Sequence, residues 1–186
     1  SASVSPNPAQ FCAGGGGVQL TASASGGQLP YTYIWKDQNG NTVGTDSTYQ
    51  ATSAGIFTME ARDNLYAPSM CPPVLISIPV VVGQPPVVNA GADQTICASS
   101  PVSYLTGTVQ NATGGIWAGG SGTFFPDNTT LTVAYTPTPA EVLAGSITFT
   151  LTSTGAGGGC VDDYDEVTIF YPPLLSVSLG SQSLSC

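Results

Sequence analysis

The sequence predicts an all-β protein made of two tandem β-sandwich domains and the first strand of a third. The first observation is composition: among 186 residues there are 23 Gly and 15 Pro but only two Lys+Arg. A chain poor in helix formers and rich in turn residues favours strands. The second observation is a repeat of cysteines, tryptophans and proline pairs. The third is apolar and polar residues alternating at strand spacing.

The repeat sets the domain boundaries. The spacing is 85 residues from Cys12 to Cys97, 89 from Cys97 to Cys186, 89 from Cys71 to Cys160, 87 between the Pro-Pro pairs, and 82 from Trp35 to Trp117. One period shared by several residue types is typical of a tandem array. We therefore predict domains over 1–84 and 85–171, with a linker and the first strand of a third repeat over 172–186. Pro-Pro at each junction stiffens the link and predicts an elongated array.

Strand and turn signals follow one another in the first repeat. A first strand is predicted to end at Cys12, and further strands are predicted at Val18–Ala24, Tyr31–Asp37, Gly55–Asp63 and Val74–Val82. Asn39-Gly40 predicts a hairpin between the third strand and the next. Alternation places Trp35 and Lys36 on opposite faces of their strand. The order suits a seven-stranded sandwich with the tryptophan in its core.

The second repeat follows the same plan with longer connections. Strands are predicted at Val88–Cys97, Val102–Val109, Gly115–Ala118, Ser146–Ser153 and Val167–Tyr171. Trp117 takes the place of Trp35. We interpret both tryptophans as core residues in preference to a sugar-stacking platform, because each lies in mid-strand among β-forming residues.

Two cysteines in each repeat predict disulfides and an oxidising, extracellular compartment. A metal site is disfavoured, because the chain has no histidine and no CxxC motif. Repeat arithmetic favours Cys12–Cys71 and Cys97–Cys160, leaving Cys186 to pair outside the segment. Strand order favours Cys12–Cys160 instead, because an odd strand count separates the two cysteines of one repeat beyond bonding distance. We favour the first pairing and keep the second open.

Charge excludes several classes of partner. The net charge is −9, and Lys36 and Arg62 are the only cationic side chains. Such a chain cannot neutralise a phosphate backbone or bind anionic lipid, so we expect neither nucleic acid nor membrane insertion. The longest apolar run, Val74–Val82, is too short to cross a bilayer. With no initiator Met or signal peptide, we expect a mature or excised segment.

Candidate chemistry is confined to carboxylates. Without histidine, the Ser-His and Cys-His nucleophile systems are unavailable, so we predict that the chain is not an enzyme. One acidic cluster contains Asp162, Asp163 and Asp165. Hard cations prefer several oxygen ligands, so this cluster is a candidate calcium site, helped by Asp93 or Asp127. We favour a solvated acidic loop over calcium, and expect no other cofactor.

The motif order resembles a known family. A cysteine, a Gly-rich gap, Val-x-Leu-x-Ala from Val18, Tyr-x-Tyr-x-Trp from Tyr31, and Gly-x-Phe-Thr-x-x-Ala-x-Asp from Gly55 precede the second cysteine. This order is similar to the immunoglobulin-like or PKD-like repeats of large Bacteroidetes cell-surface proteins, including SprB-type gliding adhesins exported by the type IX system. Asn89–Cys97 resembles the same arrays. Asp46-Ser47-Thr48 resembles the O-glycosylation acceptor of these bacteria, with Ser47 as the modified residue.

Together these features predict a structural role at the cell surface. We expect a non-enzymatic stalk segment of a long secreted cell-surface adhesin or filament. The family resemblance implies a role in adhesion or gliding motility. Its partners would be neighbouring repeats of the same chain or filament, and surface glycans or other cells. The alternative is a carbohydrate- or ligand-binding module of a secreted protein. Exposed aromatic residues in one repeat and not in the other would favour the module, and Tyr66 is the candidate.

Overall fold

The computed structural model describes residues 1–65 and 72–173, which form two compact units. The first unit comprises 1–84 together with 158–160, and the second begins at Pro85 and holds the rest. Over these described residues the chain is all-β apart from one short helix. Tyr66, Cys71, Cys186 and the strand predicted for a third repeat lie outside the described residues. No helix in the described part is long and apolar enough to cross a membrane.

The first unit is a sandwich of a three-stranded and a five-stranded sheet. Its strands are β1 (Ala2–Ser5), β2 (Ala9–Cys12), β3 (Val18–Ala24), β4 (Thr32–Lys36), β5 (Thr42–Gly44), β6 (Thr48–Ala51), β7 (Gly55–Arg62) and β8 (Val74–Gly83). The strand orders are β1-β3-β6 and β2-β8-β7-β4-β5. The predicted hairpin at Asn39-Gly40 joins β4 to β5, which pair antiparallel.

The single first strand predicted up to Cys12 is wrong, because this segment divides between the two sheets. β1 pairs antiparallel with β3, whereas β2 pairs parallel with β8. Pro6 and Pro8 lie between the two strands. Proline lacks a backbone N–H and cannot donate to a sheet ladder, so the strand ends there and resumes in the facing sheet.

The core of the first unit is built from alternating strand residues. Trp35, Leu20, Met59 and Ile78 are fully buried. The Trp35 indole Nε1 donates a hydrogen bond to the Asp46 carbonyl over 2.9 Å. The polar end of this large buried side chain is therefore satisfied while its ring fills the space between the sheets.

Both cationic side chains of the protein contact one buried carboxylate on the outer face of the five-stranded sheet. Glu60 is 3% exposed. Lys36 Nζ lies 2.9 Å from Glu60 Oε2, and Arg62 contacts the other carboxylate oxygen. Burial acts to raise the pKa of Glu60, but these two ion pairs outweigh it and lower the pKa. Lys36 thus lies on the face opposite to Trp35, as alternation predicts.

The second unit, over its residues up to 173, contains three sheets. Its elements are β9 (Val87–Asn89), β10 (Gln94–Thr95), β11 (Ser103–Thr106), β12 (Thr108–Gln110), β13 (Gly114–Ala118), β14 (Thr123–Phe125), β15 (Thr132–Thr136), α1 (Pro139–Ala144), β16 (Ser146–Thr154) and β17 (Tyr164–Phe170). The strand orders are β10-β17-β16-β13, β11-β15-β14 and β12-β9. Trp117, Tyr135, Phe149 and Leu151 are fully buried between them.

The strand predicted over Val102–Val109 is interrupted at Gly107. β11 pairs with β15, and β12 pairs with β9 in a different sheet. A Cβ at Gly107 would lie 2.3 Å from Leu151 Cδ2 and 2.9 Å from Trp117 Cζ2. Only glycine therefore lets the backbone cross this closely over the core while it changes sheets.

The helix α1 was not predicted. Thr138 caps it, accepting a hydrogen bond from the Glu141 N–H, while the Glu141 carboxylate accepts from the Thr138 N–H over 2.7 Å. Tyr135 Oη and the Ser121 N–H also donate to this carboxylate. Burial acts to raise the pKa of Glu141, but these hydrogen bonds outweigh it and lower the pKa to about 2. Burial and the same carboxylate raise the pKa of Tyr135 to about 12.

Glu141 should make stability depend on pH at the acid end. Its folded-state pKa, about 2, is depressed from an ordinary 4.5. Its contribution is therefore complete above pH 4.5 and is lost as the pH falls towards 2. We expect Glu141→Gln to lower stability at pH 7 by about 1 kcal/mol and to flatten this part of the profile. Urea unfolding from pH 7 to 2 measures both effects, with Glu166→Gln as the matched control at an exposed position. A variant profile parallel to that of the wild type would contradict the assignment.

Candidate functional site

A disulfide joins two residues that are distant in sequence. Cys12 ends β2, and Cys160 lies in the loop between β16 and β17. Their sulfurs are bonded, their Cα atoms are 4.6 Å apart, and they are separated by 148 positions. Residues 158–160 belong to the first compact unit although their neighbours in sequence belong to the second. The bond is therefore a covalent cross-link from the loop of one repeat to the first unit.

The pairing favoured from repeat arithmetic is wrong, and the alternative from strand order is the observed one. Cys12 lies opposite Gly83, at the end of β8. The nine steps of β8 from Val74 to Gly83 span about 30 Å, so Cys12 lies at the far end of this strand from Val74. Because Cys160 is bonded to Cys12, neither Cys12–Cys71 nor Cys97–Cys160 forms. Cys97 is also disulfide-bonded, but its partner is not Cys160.

Two glycines bring the loop close to the first unit. Gly158 and Gly159 have φ values of +63° and +75°. A Cβ at Gly158 would lie 2.2 Å from the Cα of Gly83, and one at Gly159 would lie 3.1 Å from the Cα of Phe11. Glycine is required here both for backbone conformation and for space. The Gly-rich sequence before Cys160 is therefore what lets the cysteine reach β2.

The three carboxylates proposed for calcium have separate local partners. Asp162 Oδ1 accepts hydrogen bonds from Ser153 Oγ and the Ala156 N–H over 3.1 and 3.3 Å. Asp165 Oδ2 accepts from the Ala90 N–H over 2.8 Å. The Asp163 backbone N–H donates to Ser153 Oγ. Within residues 1–65 and 72–173, no group of three or more His, Cys, Asp or Glu side chains is arranged to hold a metal ion.

Asp93 and Asp127, the two additional carboxylates proposed for calcium, also accept hydrogen bonds from nearby backbone N–H groups. Asp93 Oδ1 accepts from the Thr168 N–H over 2.8 Å. Asp127 Oδ1 accepts from the N–H groups and hydroxyls of Thr129 and Thr130, and the hydrogen bonds from Thr129 and Thr130 lower the pKa of Asp127. These carboxylates act as turn and strand anchors, which aspartate favours through its short acceptor side chain.

Ser47, the predicted glycosylation site, is exposed in the turn between β5 and β6. Its carbonyl accepts a hydrogen bond from the Ala22 N–H over 2.7 Å, and the preceding Asp46 carbonyl accepts from Trp35. The turn is therefore fixed by its backbone while the serine faces solvent. Modification at Ser47 stays a prediction.

Comparison with known proteins identifies the fold. No family model matches the chain, and no curated protein matches it. The fibronectin(III)-like modules of Clostridium thermocellum CbhA are similar at 12% identity and a TM-score of 0.51, over 92% of this chain and 94% of that one. Sidekick-1 immunoglobulin domains 1–5 are similar at 14% identity and a TM-score of 0.53, over 93% of this chain but only 39% of that one. The chain is thus a pair of tandem immunoglobulin-like or fibronectin III-like β-sandwich domains.

Proposed function

We propose that this chain is a non-enzymatic stalk segment of a long secreted cell-surface adhesin or filament. The observation that carries the proposal is the Cys12–Cys160 bond, which cross-links β2 of one repeat to a loop of the next repeat in sequence. Such a link suits a repeat array that bears load, because it carries tension covalently between positions that are 148 residues apart in sequence. Disulfides persist outside the cell, which supports an extracellular location.

Carboxylates that could take part in chemistry are used here to hold the fold. The carboxylates of Asp162, Asp165 and Glu141 accept hydrogen bonds from nearby backbone and hydroxyl groups. The chain has no histidine. We therefore assign the segment no reaction, and its resemblance to Bacteroidetes arrays supports a role in adhesion or gliding motility. Neighbouring repeats of the same chain are its expected partners.

A ligand-binding module is the second candidate. Tyr104, Phe125, Tyr164 and Phe170 are exposed in the second unit, whereas the exposed large apolar side chains described for the first unit are all aliphatic. This difference between the repeats is the feature expected of a module that binds a ligand. The two roles are compatible, since one repeat of a stalk can carry a binding surface.

Surface labelling tests the stalk proposal. Antibodies raised against this segment should label intact, unpermeabilised cells of the source organism, and external protease should remove the label. Deleting both repeats from the parent protein should shorten the projecting structure in electron micrographs. Labelling only after permeabilisation would contradict the proposal. An antibody against a cytoplasmic protein of the same cells is the control for intactness.

A further inference from the structure

Two exposed aromatic side chains lie on one face of the sheet β11-β15-β14. Tyr104 on β11 is 66% exposed, and Phe125 on β14 is 75% exposed. Ser103 and Leu105, on either side of Tyr104, are fully buried. Because strand side chains alternate, Tyr104 must point to the outer face. Phe125 also points to the outer face, because the neighbouring Phe124 packs against the core.

The two aromatic residues share one row across the sheet. Tyr104 pairs with Ala134 of the central strand, and Ala134 pairs with Phe125 on the other side. Ala134 also lies on the outer face, between buried Val133 and Tyr135. Neighbouring strands are about 4.8 Å apart, so the two rings stand about 10 Å apart over a small residue. We call Tyr104, Ala134 and Phe125 the aromatic row.

Threonines flank the aromatic row on the same face. Two residues from the aromatic row along the strands, Thr123 of β14 pairs with Thr136 of β15. Two residues away in the opposite direction, Thr106 of β11 pairs with Thr132 of β15. All four are exposed. The face therefore offers two apolar rings between two lines of hydroxyl groups, each a donor and an acceptor. These seven residues include no Asp, Glu, Lys or Arg.

The aromatic row is held rigid from beneath. The Phe124 ring lies 4.9 Å from the Tyr135 ring and 5.8 Å from the Phe149 ring, between centroids. The Tyr104 carbonyl accepts a hydrogen bond from the Gln94 side chain over 3.0 Å. A surface fixed in this way loses little conformational entropy when a ligand binds.

The described part of the first unit lacks this arrangement. The outer face of its three-stranded sheet carries serine, threonine and glutamine, with Ser3 hydrogen-bonded to Ser23 through their hydroxyls over 2.7 Å. No aromatic side chain appears among the exposed large apolar residues of its described part. A feature that only one of the two repeats shows, over the residues described, is not needed for the shared fold.

We propose that the aromatic row and its flanking threonines bind an extended, neutral, β-linked polysaccharide. Aromatic rings stack on the apolar faces of pyranose rings, and a spacing of about 10 Å matches alternate sugars of an extended β-1,4-linked chain. The threonine hydroxyls then meet the equatorial sugar hydroxyls. A neutral ligand fits a face without charge on a protein of net charge −9. The inference names a ligand class for the second candidate function and does not depend on the stalk role.

Affinity electrophoresis tests the proposal with defined probes. Native gels containing hydroxyethylcellulose, β-1,4-xylan or β-1,4-mannan should retard the oxidised chain, and gels containing dextran, an α-linked glucan, should not. Tyr104→Ala and Phe125→Ala should each lower the apparent affinity, calculated from the retardation, at least tenfold. Tyr104→Phe should retain most of it, because the ring remains. Far-ultraviolet circular dichroism confirms that each variant is folded.

Two further variants are the matched controls. Tyr164→Ala and Phe170→Ala remove exposed aromatic side chains from β17, which lies in the sheet β10-β17-β16-β13. Both variants should bind the polymers like the wild type. Absence of retardation by all three β-linked polymers would overturn the proposal, as would retardation that the Tyr104 and Phe125 variants leave unchanged. Analytical ultracentrifugation tests whether this face instead binds a second copy of the chain. A wild-type dimer that Tyr104→Ala dissociates would identify a self-association surface and overturn the glycan proposal. None of these results bears on the surface-labelling test of the stalk.

Discussion

Pulled from its two ends, the oxidised chain should extend through only the segments before Cys12 and after Cys160. The disulfide connects these residues directly, so tension passes through the sulfur–sulfur bond and bypasses the intervening chain. The bypassed segment corresponds to a sequence separation of 148. At about 3.3–3.6 Å per extended residue, reduction should release up to about 500 Å of additional length. The expected effect of reduction is therefore a large increase in the extended length of the chain. Loss of a non-covalent contact would instead change the force at which a unit unfolds.

Single-molecule force spectroscopy measures this length. The chain would be held through terminal tags that do not use cysteine and stretched before and after addition of a reductant. Cys12→Ser should extend further than the oxidised wild type without any reductant. Cys97→Ser is the matched control, because it also removes a disulfide-bonded cysteine but leaves Cys12–Cys160 intact. Equal extension of the oxidised and reduced wild-type chains would contradict force bypass.

Force bypass gives the stalk proposal a physical basis. A β-sandwich held by non-covalent contacts has a stability of only about 5–15 kcal/mol, so sustained load unfolds it. The covalent connection from Cys12 to Cys160 keeps tension off the strands between these two residues, whereas β1 and β17, which lie outside the closed segment, still carry it. The Gly-rich loop that carries Cys160 is then a functional element, because it delivers the cysteine to β2.

Strand patterns predicted much of the fold. The alternation over Val18–Ala24 predicted β3 with its exact ends, and Gly55–Asp63 predicted β7 to within one residue. Local hydrophobic periodicity decides such strands, because one face is buried wherever the strand pairs. The hairpin at Asn39-Gly40 was equally local. These elements could be predicted because each signal lies within about ten residues.

Features that depend on pairing could not be predicted in the same way. The split of the first strand at Pro6 follows from its two partners, β3 and β8, in different sheets. The helix α1 had a local signal, Thr138-Pro-Ala-Glu141, which is a capping box with proline at the first helical position. Scarcity of helix formers obscured it. A count of composition is weaker evidence than a specific cap.

The aromatic row depends on register. Tyr104 lies in a predicted strand, but its outward direction follows only from which neighbours are buried. Phe124 and Phe125 are adjacent, and sequence alone does not say which of them faces the core. The row exists because both outward residues pair with Ala134. A shift of one residue in either strand would bury one ring and remove the site.

Replacing Trp117 by alanine should destabilise the second unit more than any surface substitution. Trp117 is fully buried, and its indole Nε1 donates to the Leu131 carbonyl over 3.3 Å. Removing a buried tryptophan costs the transfer energy of the ring and leaves a cavity, about 3–5 kcal/mol in total. The total stability of a domain is about 5–15 kcal/mol. The variant should therefore unfold at a much lower urea concentration, as followed by far-ultraviolet circular dichroism.

Ile116→Ala is the matched control, because it changes the adjacent residue of the same strand. Ile116 is 38% exposed and lies on the opposite face, so its truncation should cost about 1 kcal/mol or less. Trp117→Phe should fall between the two, since the smaller ring refills part of the cavity but leaves the Leu131 carbonyl without its indole donor. Similar urea midpoints for Trp117→Ala and Ile116→Ala would contradict the core position of Trp117. A large difference between neighbours one residue apart is what a two-faced strand requires, because a helix or an irregular loop would not separate them so sharply.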